Sequence, residues 1–237
     1  MKKIPTGIRG LDEMLGGGFP SCRIILVHGG PGSGKTIFSF QFLMNGLENK
    51  ERGVYVSLEE PLNLIKANVL SLRWDLEKFE KEGSLKMING SQIVYAEKES
   101  RGSTPVISEF SDKIEQVVKT FEAKRLAIDP ITSAVIHQPF RDKKRREIGR
   151  LFKTLRRLSC TSVITSEWSS GGEEFYMEEY LADGVIVLSK TLQNFKMIKT
   201  VRIEKMRGIR HDDQPRRYEI SSDKGFIIYN TEPVTVE

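Results

Sequence analysis

Residues 23–36 read RIILVHGGPGSGKT, an apolar run followed by a glycine-rich loop that ends in Lys and Thr. Residues 29–36 match the phosphate-binding pattern G-x-x-x-x-G-K-S/T. In such a loop the backbone N–H groups curl around a polyphosphate, and the following helix points its positive dipole end at the same anion. The lysine reaches the outer phosphates and the Thr hydroxyl coordinates Mg²⁺. Because the pattern lies between a strand-like run and an amphipathic stretch, the sequence predicts a nucleoside triphosphate site at Lys35 and Thr36.

The composition is that of a soluble, enzyme-sized protein. The chain has 237 residues, a formal net charge of +5 and no internal repeat or low-complexity linker, so one domain over 1–237 is expected. No apolar run approaches the ~20 residues of a membrane span and the amino terminus has no signal-peptide core, which predicts a cytoplasmic protein without a membrane span. Cys22 and Cys160 each lie at the start of a predicted buried strand and are interpreted as small core residues. The sequence has no Cys/His cluster with metal-ligand spacing.

Strand-like and helix-like segments alternate along most of the chain. Apolar patterning predicts strands at 23–27, 54–58, 85–88, 125–128 and 162–165, and helices at 37–47, 62–72, 108–121 and 142–158. After Asp183 the pattern changes to strand-like segments at 184–188, 195–206, 218–220 and 225–229. This order predicts an α/β fold with a mostly parallel central sheet flanked by helices and with antiparallel edge strands at the C-terminus. Residues 89–104 are predicted to form a mobile loop.

Three carboxylates follow predicted strands, where ligands bind in doubly wound sheets. Asp129 ends the apolar run 126–128, so it can hold a Mg²⁺-bound water against the phosphates. Its alternative role is a turn cap before Pro130. Glu59 and Glu60 follow the next strand after the phosphate loop, and one of them can polarise the water that attacks the γ-phosphate. The alternative is that both glutamates are solvated surface residues.

These residues, together with further segments, carry a family resemblance. The segments are Pro5-Thr6-Gly7-Ile8, Gly17-Gly18, the phosphate loop running into Phe38-Ser39 and Gln41-Phe42-Leu43, Glu59-Glu60, Trp74-Asp75, Ile128-Asp129, Thr165-Ser166-Glu167, Lys205-Met206-Arg207-Gly208 and His211. In their order and spacing, over nearly the whole chain, they resemble the KaiC-like ATPases of the RecA/RadA superfamily. The resemblance implies a RecA-like P-loop fold, with ATP and Mg²⁺ as the ligands.

The resemblance also assigns residues to the nucleotide. It implies that the phosphates are bound by Gly30, Pro31, Gly32, Ser33, Gly34, Lys35, Thr36 and Ile37. It implies that Glu59 and Glu60 are the catalytic pair, acting with Lys35. It also implies that Thr36 and Asp129 lie beside the bound Mg²⁺ and help to hold it. Ser71 falls where the family contacts the nucleotide from the same subunit. Because that family forms rings, commonly hexamers, a homo-hexamer is implied in which the neighbouring subunit contacts the nucleotide through Lys205, Met206, Arg207, His211 and Asp223.

The sequence departs from the family pattern in one informative place. The kinase domain of the clock protein KaiC carries adjacent Ser and Thr acceptors before its edge strand, whereas residues 178–183 read EEYLAD here. Autokinase activity is therefore not expected. The clock protein has two such domains in tandem and this sequence has one, so a timekeeping role does not follow.

Positive charge is concentrated in one predicted helix. Residues 141–157 contain nine basic and two acidic side chains. Ile148, Leu151 and Leu155 recur at helical spacing, so one stripe should pack on the sheet while the charges face outward. Such a surface can bind a nucleic-acid backbone, and the alternative is a solvated helix face. Residues 167–180, where recombinases contact DNA, are acidic, which argues against strand exchange.

Two main classes of function and one further hypothesis remain. The leading hypothesis is a Mg²⁺-dependent module that binds and hydrolyses ATP and acts as a regulatory or assembly ATPase in a ring oligomer, with a protein partner that the sequence does not identify. The alternative is a DNA-binding, RadA-like recombinase paralogue that uses the basic helix. A third hypothesis is a nucleotide sensor that binds ATP with little turnover.

Overall fold

The fold is built around one large mixed sheet with helices on both faces. The structure is a computed structural model that describes residues 1–94, 107–135, 141–167 and 177–233. Its strands are β1 (Lys3–Ile4), β2 (Phe19–Pro20), β3 (Ile24–Gly29), β4 (Gly53–Ser57), β5 (Leu85–Asn89), β6 (Arg125–Asp129), β7 (Thr161–Ser166), β8 (Gly184–Gln193), β9 (Lys196–Met206), β10 (Arg216–Ser221) and β11 (Gly225–Pro233). Its helices are α1 (Leu11–Met14), α2 (Lys35–Glu48), α3 (Leu62–Leu70), α4 (Leu76–Lys81), α5 (Ile107–Thr120), α6 (Ile131–Val135), α7 (Arg141–Arg156) and α8 (Met177–Leu181), and a further helical segment covers residues 90–94.

The large sheet has nine strands in the order β11-β10-β9-β8-β3-β7-β6-β4-β5. The strands from β5 to β8 in this order run parallel, and β8, β9, β10 and β11 pair antiparallel. Parallel strands need crossover connections and are buried on both faces, which is why they read as continuous apolar runs in the sequence. The expected mostly parallel sheet with antiparallel C-terminal strands is confirmed. β1 and β2 form a separate short antiparallel pair.

Apolar layers cover both faces of the sheet. On one face α2 contributes Phe38 and Phe42, which are four residues apart and fully buried. On the other face α7 contributes the stripe that was expected from its spacing, including Ile148, Leu151 and Leu155. Among the described helices, none is both long and apolar enough to cross a bilayer.

Several strands end at the same edge of the sheet. β3, β4, β6 and β7 are parallel neighbours, so their last residues Gly29, Ser57, Asp129 and Ser166 lie close in register. Loops that leave this edge are therefore brought together even where they are distant in sequence. This edge is where the predicted phosphate loop begins.

Two sequence-based interpretations are corrected by the structure. Cys22 was interpreted as a core residue, but it is exposed in a turn with φ of 56°, where its N–H donates to Thr161 Oγ1 at 3.0 Å. Cys160 is buried as expected. The predicted mobile loop over 89–104 is wrong at its start, because Asn89 ends β5 and residues 90–94 are helical. The rest of that prediction lies outside the described residues.

The sequence patterns do not predict the short elements β1, β2, α1, α4, α6 and α8, and they predict a β8 that is too short. α4 begins after Asp75, whose side chain caps it by accepting from Lys78 N at 3.1 Å. Its six residues are too few to show a helical period. β8 was expected to end at Leu188 but continues to Gln193, because residues 189–193 are polar or exposed and are strand only through their pairing with β9.

Candidate active site

The glycine-rich loop joins the end of β3 to the start of α2. Gly32 and Gly34 have φ of 68° and 93°, a left-handed conformation that side chains disfavour. A Cβ at Gly34 would also come within 2.4 Å of Ile220 Cδ1, so a larger residue would be strained by this φ and would have to displace that side chain. No side chain caps the amino-terminal end of α2. The first-turn N–H groups of this 14-residue helix therefore form a site suited to an anion.

Lys35 points back over the loop from the first position of α2. Its Nζ donates to the carbonyls of Gly29 at 2.9 Å and Gly30 at 3.1 Å. The same Nζ forms a salt bridge with Glu167 Oε1 at 3.0 Å. Lys35 is 7% exposed, so its charge is largely withdrawn from water and needs these partners. The carboxylate of Glu167, which follows the end of β7, is therefore paired with the Lys35 cation of the phosphate loop.

Asp129 is held at the end of β6 by hydroxyl groups from three neighbouring elements. Thr36 Oγ1 and Tyr55 OH donate to Asp129 Oδ2 at 2.6 and 2.8 Å. The Thr165 hydroxyl donates to the other carboxylate oxygen. Burial and the adjacent carboxylate of Asp129 raise the pKa of Tyr55 well above its usual range, so Tyr55 remains a donor. These side-chain bonds place the Asp129 carboxylate against Thr36, where a turn cap would not put it.

Glu59 and Glu60 lie just beyond the end of β4 and differ in how they are held. Glu60 is half-buried, and its Oε1 accepts from Asn68 Nδ2 at 2.9 Å. Glu59 is exposed, and its Oε2 accepts from Ser133 Oγ at 3.1 Å. Both line the same cavity as the phosphate loop.

A cavity of about 540 Å³ gathers most of the residues that the sequence singled out. The predicted residues that line it are Pro31, Gly32, Gly34, Lys35, Thr36, Ile37, Glu59, Glu60, Ser71 and Asp129. Gly30 and Ser33 belong to the same loop without lining the cavity, and Ser33 is buried with its carbonyl accepting from Tyr218 OH at 2.6 Å. Apolar side chains of α3, among them Ile65 and Val69, form one wall.

The residues implied to reach a neighbouring subunit lie elsewhere. Lys205 pairs in register with Val185 near the start of β8, whereas the phosphate loop follows the far end of the parallel strands. Lys205 Nζ donates to the carbonyl of Glu179, and Arg207 donates to the carbonyl of Tyr180 at 3.1 Å. Burial, and then the charge of Arg207, lower the pKa of Lys205. Within one chain these cations bind the end of α8 and are not part of the cavity.

The other three implied neighbour-contacting residues have different environments. Met206 is 4% exposed and packs in the core. His211 is partly buried. Asp223 is exposed in the turn between β10 and β11, where a hydrogen bond from Ser221 lowers its pKa. None of the three lines the cavity.

Sequence reasoning missed several residues around this site. Tyr55 lies inside a strand run and looks like an ordinary strand residue, and Thr165 was part of the family resemblance without a role, until their hydroxyls are seen to meet Asp129. Glu167 was part of the family resemblance, but its contact with Lys35 was not foreseen. His28 is fully buried beside the loop, and burial together with the charge of Lys35 lowers its pKa to about 4.

Metal-binding capacity at this site rests on Thr36 and Asp129. Within the ranges that the structure describes, no group of three or more His, Cys, Asp or Glu residues could hold a metal ion. Mg²⁺ at nucleotide sites takes only one or two protein oxygens and completes its shell with phosphates and waters. The Thr36 hydroxyl and the Asp129 carboxylate are therefore a donor set of the right kind.

Some basic side chains at the end of helix α7 form contacts within the chain. Arg156 donates to the carbonyl of Leu181 and lies 3.7 Å from Asp183 Oδ1. Arg157, just after α7, pairs with Glu115 at 3.0 Å. Arg145 and Arg150 are exposed. Nucleic-acid binding by this surface stays a prediction.

Comparisons with known proteins agree with this geometry. The family model described as "ATPase: KaiC" matches residues 4–233. A UPF0273 protein of Thermotoga maritima is 37% identical, with 98% of each chain covered. The circadian clock protein KaiC3 of Synechocystis is 31% identical over this whole chain, which spans 47% of that protein. The crystal structure of a KaiC-like protein from Pyrococcus horikoshii has 34% identity and a TM-score of 0.83, and the match covers 96% of this chain and 99% of that one. The fold is RecA-like, and the chain belongs to the KaiC family of ATPases.

Proposed function

We propose that this protein is a Mg²⁺-dependent ATP hydrolase whose nucleotide lies in the cavity between the phosphate loop, α3 and the ends of β4, β6 and β7. The observation that carries the proposal is the hydrogen bond of 2.6 Å between Thr36 and Asp129 on the wall of that cavity. It joins the last position of the phosphate loop to a buried carboxylate from another strand. A glycine-rich turn with only a structural role would not need that pairing.

The residues fit a nucleoside triphosphate. The uncapped amino-terminal end of α2 and the buried ammonium of Lys35 complement the phosphates. The apolar side chains of Ile65 and Val69 supply a surface on which a base can pack. A bound Mg²⁺ would neutralise charge that develops on the phosphates. Thr36 and Asp129 would hold it, and Tyr55 would keep the carboxylate oriented.

We assign the positioning of the attacking water to the pair Glu59 and Glu60. Of the two, Glu60 is better fixed, because it is half-buried and bonded to Asn68. Glu59 is more exposed and bonded to Ser133. A general base must be held within hydrogen-bond reach of the water whose proton it takes, so the better-fixed residue is the stronger candidate.

We further propose that the active unit is a cytoplasmic homo-oligomeric ring, commonly a hexamer in this family, in which residues 1–237 act as one domain. The cations Lys205 and Arg207 lie far from their own cavity and together on one end of β9. Such a pair suits a neighbour's triphosphate, where an arginine supplied across an interface stabilises the transferring phosphoryl group. Nucleotide state would then act on assembly or on a protein partner.

The DNA-binding recombinase paralogue remains the second candidate because α7 presents exposed arginines such as Arg145 and Arg150. The two candidates differ in one measurement. Adding DNA at moderate salt leaves the hydrolysis rate unchanged for a regulatory ATPase and raises it for a recombinase paralogue.

The test of the proposed function is steady-state ATP hydrolysis with and without Mg²⁺. We expect Lys35→Ala to abolish tight ATP binding, because it removes the cation of the phosphate loop. We expect Glu59→Gln with Glu60→Gln to retain binding and to lower turnover by ~10²-fold or more. Each single Gln variant serves as the control that identifies the active glutamate. Hydrolysis that persists in the double variant would remove both residues from the mechanism, and wild-type protein that binds no ATP would overturn the proposal.

A further inference from the structure

β8 and β9 continue beyond the sheet as a two-stranded extension, residues 190–199, which we call the hairpin ribbon. β8 pairs with β3 only as far as Leu188. β9 pairs with β10 only at Thr200 and Val201. Among the strands of the described residues, those of the hairpin ribbon therefore pair only with each other. An isolated two-stranded ribbon has little stability of its own in water, so support of the sheet does not explain its length.

The end of the hairpin ribbon displays large apolar side chains. Leu192, Phe195 and Met197 are 65%, 99% and 59% exposed. Leu192 and Met197 are cross-strand partners, so their side chains lie on the same face. Single exposed apolar residues are ordinary on protein surfaces, whereas a group of them at the end of a projecting element marks an interaction site.

The turn of the hairpin ribbon places its aromatic residue at a conformational disadvantage. Asn194 and Phe195 have φ of 49° and 60°, the pair of left-handed conformations for which hairpins favour Asn-Gly. A bulky side chain in this region is less stable than glycine. Phe195 gains nothing from burial in return, because it is almost completely exposed. Folding alone would favour glycine at this position.

Positive charge lies behind the apolar end. Lys190 and Lys199 are cross-strand partners, two residues behind Leu192 and Met197 and on the same face. Like charges directly opposite each other destabilise a strand pair. Lys190 donates to Pro31 O at 2.6 Å, and Lys196 is exposed beside the turn. The sequence from 184 to 203 contains no acidic residue.

We propose that the hairpin ribbon docks this protein on an anionic phospholipid surface. Leu192, Phe195 and Met197 enter the boundary between headgroups and acyl chains, and Lys196 and Lys199 lie at the level of the lipid phosphates, whereas Lys190 stays bonded to Pro31. Met197 and Lys199 are two strand positions apart and on the same face, a distance of about 7 Å. This spacing fits the ≈ 5–10 Å to which interfacial apolar groups enter a bilayer. The inference does not depend on ATP hydrolysis.

The chemistry of the hairpin ribbon favours lipid over other anionic partners. Single-stranded nucleic acid is bound by successive aromatic platforms, and the ribbon has one aromatic ring beside aliphatic side chains. An acidic protein surface would satisfy the lysines and leave the projecting apolar end in contact with polar groups. A bilayer with anionic headgroups supplies both the charge and the apolar layer, in the order in which the ribbon presents them.

Sedimentation with vesicles tests the proposal on the full chain. We expect binding to vesicles of phosphatidylcholine mixed with phosphatidylglycerol, weak binding to phosphatidylcholine alone, and a loss of binding as salt is raised. Lys196→Gln and Lys199→Gln should each lower the partition coefficient about fivefold. The triple variant Leu192→Thr, Phe195→Gly and Met197→Thr should lower it at least about tenfold, because three apolar contacts are lost.

Two controls keep the result interpretable. Phe195→Gly alone should weaken binding while the unfolding temperature stays equal or rises, since glycine suits the turn better. Leu64→Gln with Leu70→Gln removes apolar residues of similar exposure, 50% and 59%, from α3 and should leave vesicle binding unchanged.

Several outcomes would overturn the inference. These are equal binding to neutral and anionic vesicles, no binding to either, or binding that survives in the triple variant. Loss of self-association or of single-stranded DNA binding in the triple variant, without any vesicle binding by the wild type, would assign the surface to a second copy or to nucleic acid instead.

Discussion

Replacing Glu167 with Gln should strengthen ATP binding, although it removes a salt bridge from the site. Glu167 Oε1 lies 3.0 Å from Lys35 Nζ. The phosphates of ATP must replace Glu167 as the partner of the Lys35 ammonium, so Glu167 competes with them for this cation. Its negative charge also borders the cavity in which a triphosphate would sit. The Gln variant keeps the shape of the side chain and removes both effects.

The size of the effect follows from the geometry of the pair. Two unit charges 3.0 Å apart interact by about 5.5 kcal/mol at an effective dielectric constant near 20. Because Glu167 is 40% exposed, solvent screening and desolvation reduce the net contribution to about 1–2 kcal/mol. Removing this competition should tighten ATP binding about five- to thirtyfold. The same change leaves a Lys35 side chain that is 7% exposed without its counterion, so the unfolding temperature without nucleotide should fall.

Titration calorimetry with a non-hydrolysable ATP analogue measures the affinity without interference from turnover. Glu59→Gln is the matched control, because it removes a carboxylate from the same cavity without a contact to Lys35. An affinity that is unchanged or weaker in Glu167→Gln would refute the competition argument. An equal gain in Glu59→Gln would show that general repulsion, and not the salt bridge, limits binding.

Three further predictions concern two residues of the parallel strands near the phosphate loop and the cation Arg207, which lies far from the cavity. The pKa of buried His28 is lowered to about 4, below the value near 6.5 of an unfolded chain, so only the unfolded state gains a proton between these values. The contribution of His28 to the free energy of unfolding should be fully present above pH ~6.5 and should fall by up to about 3 kcal/mol as the pH drops to 4. In urea unfolding, His28→Gln should remove this dependence on pH. Tyr55→Phe removes a buried donor to Asp129 and should cost about 1–2 kcal/mol in chemical unfolding; an unchanged midpoint would contradict that role. If the site is shared between subunits, mixing inactive Lys35→Ala and inactive Arg207→Ala proteins should restore part of the activity, and no recovery in a mixture that exchanges subunits would exclude sharing.

The sequence alone determined the features that depend on residues adjacent to one another along the chain. The phosphate loop could be placed because its glycines, Lys35 and Thr36 are consecutive and act through their own backbone. The alternation of strands and helices could be read because burial on both faces leaves continuous apolar runs, and the amphipathic stripe of α7 repeats at the helical period. The ends of the strand-like runs located Glu59, Glu60 and Asp129, and the family resemblance added the roles that it implies for them.

Only the tertiary structure decided which of these residues meet. The contacts of Asp129 with Tyr55 and of Lys35 with Glu167 join residues 74 and 132 positions apart, and no local pattern encodes such pairings. The exposure of Cys22 and the length of β8 were likewise set by a turn and by pairing with β9. Strand order places the ends of β3, β4, β6 and β7 at one edge, and the site exists there because parallel strands with crossover helices share one carboxyl end.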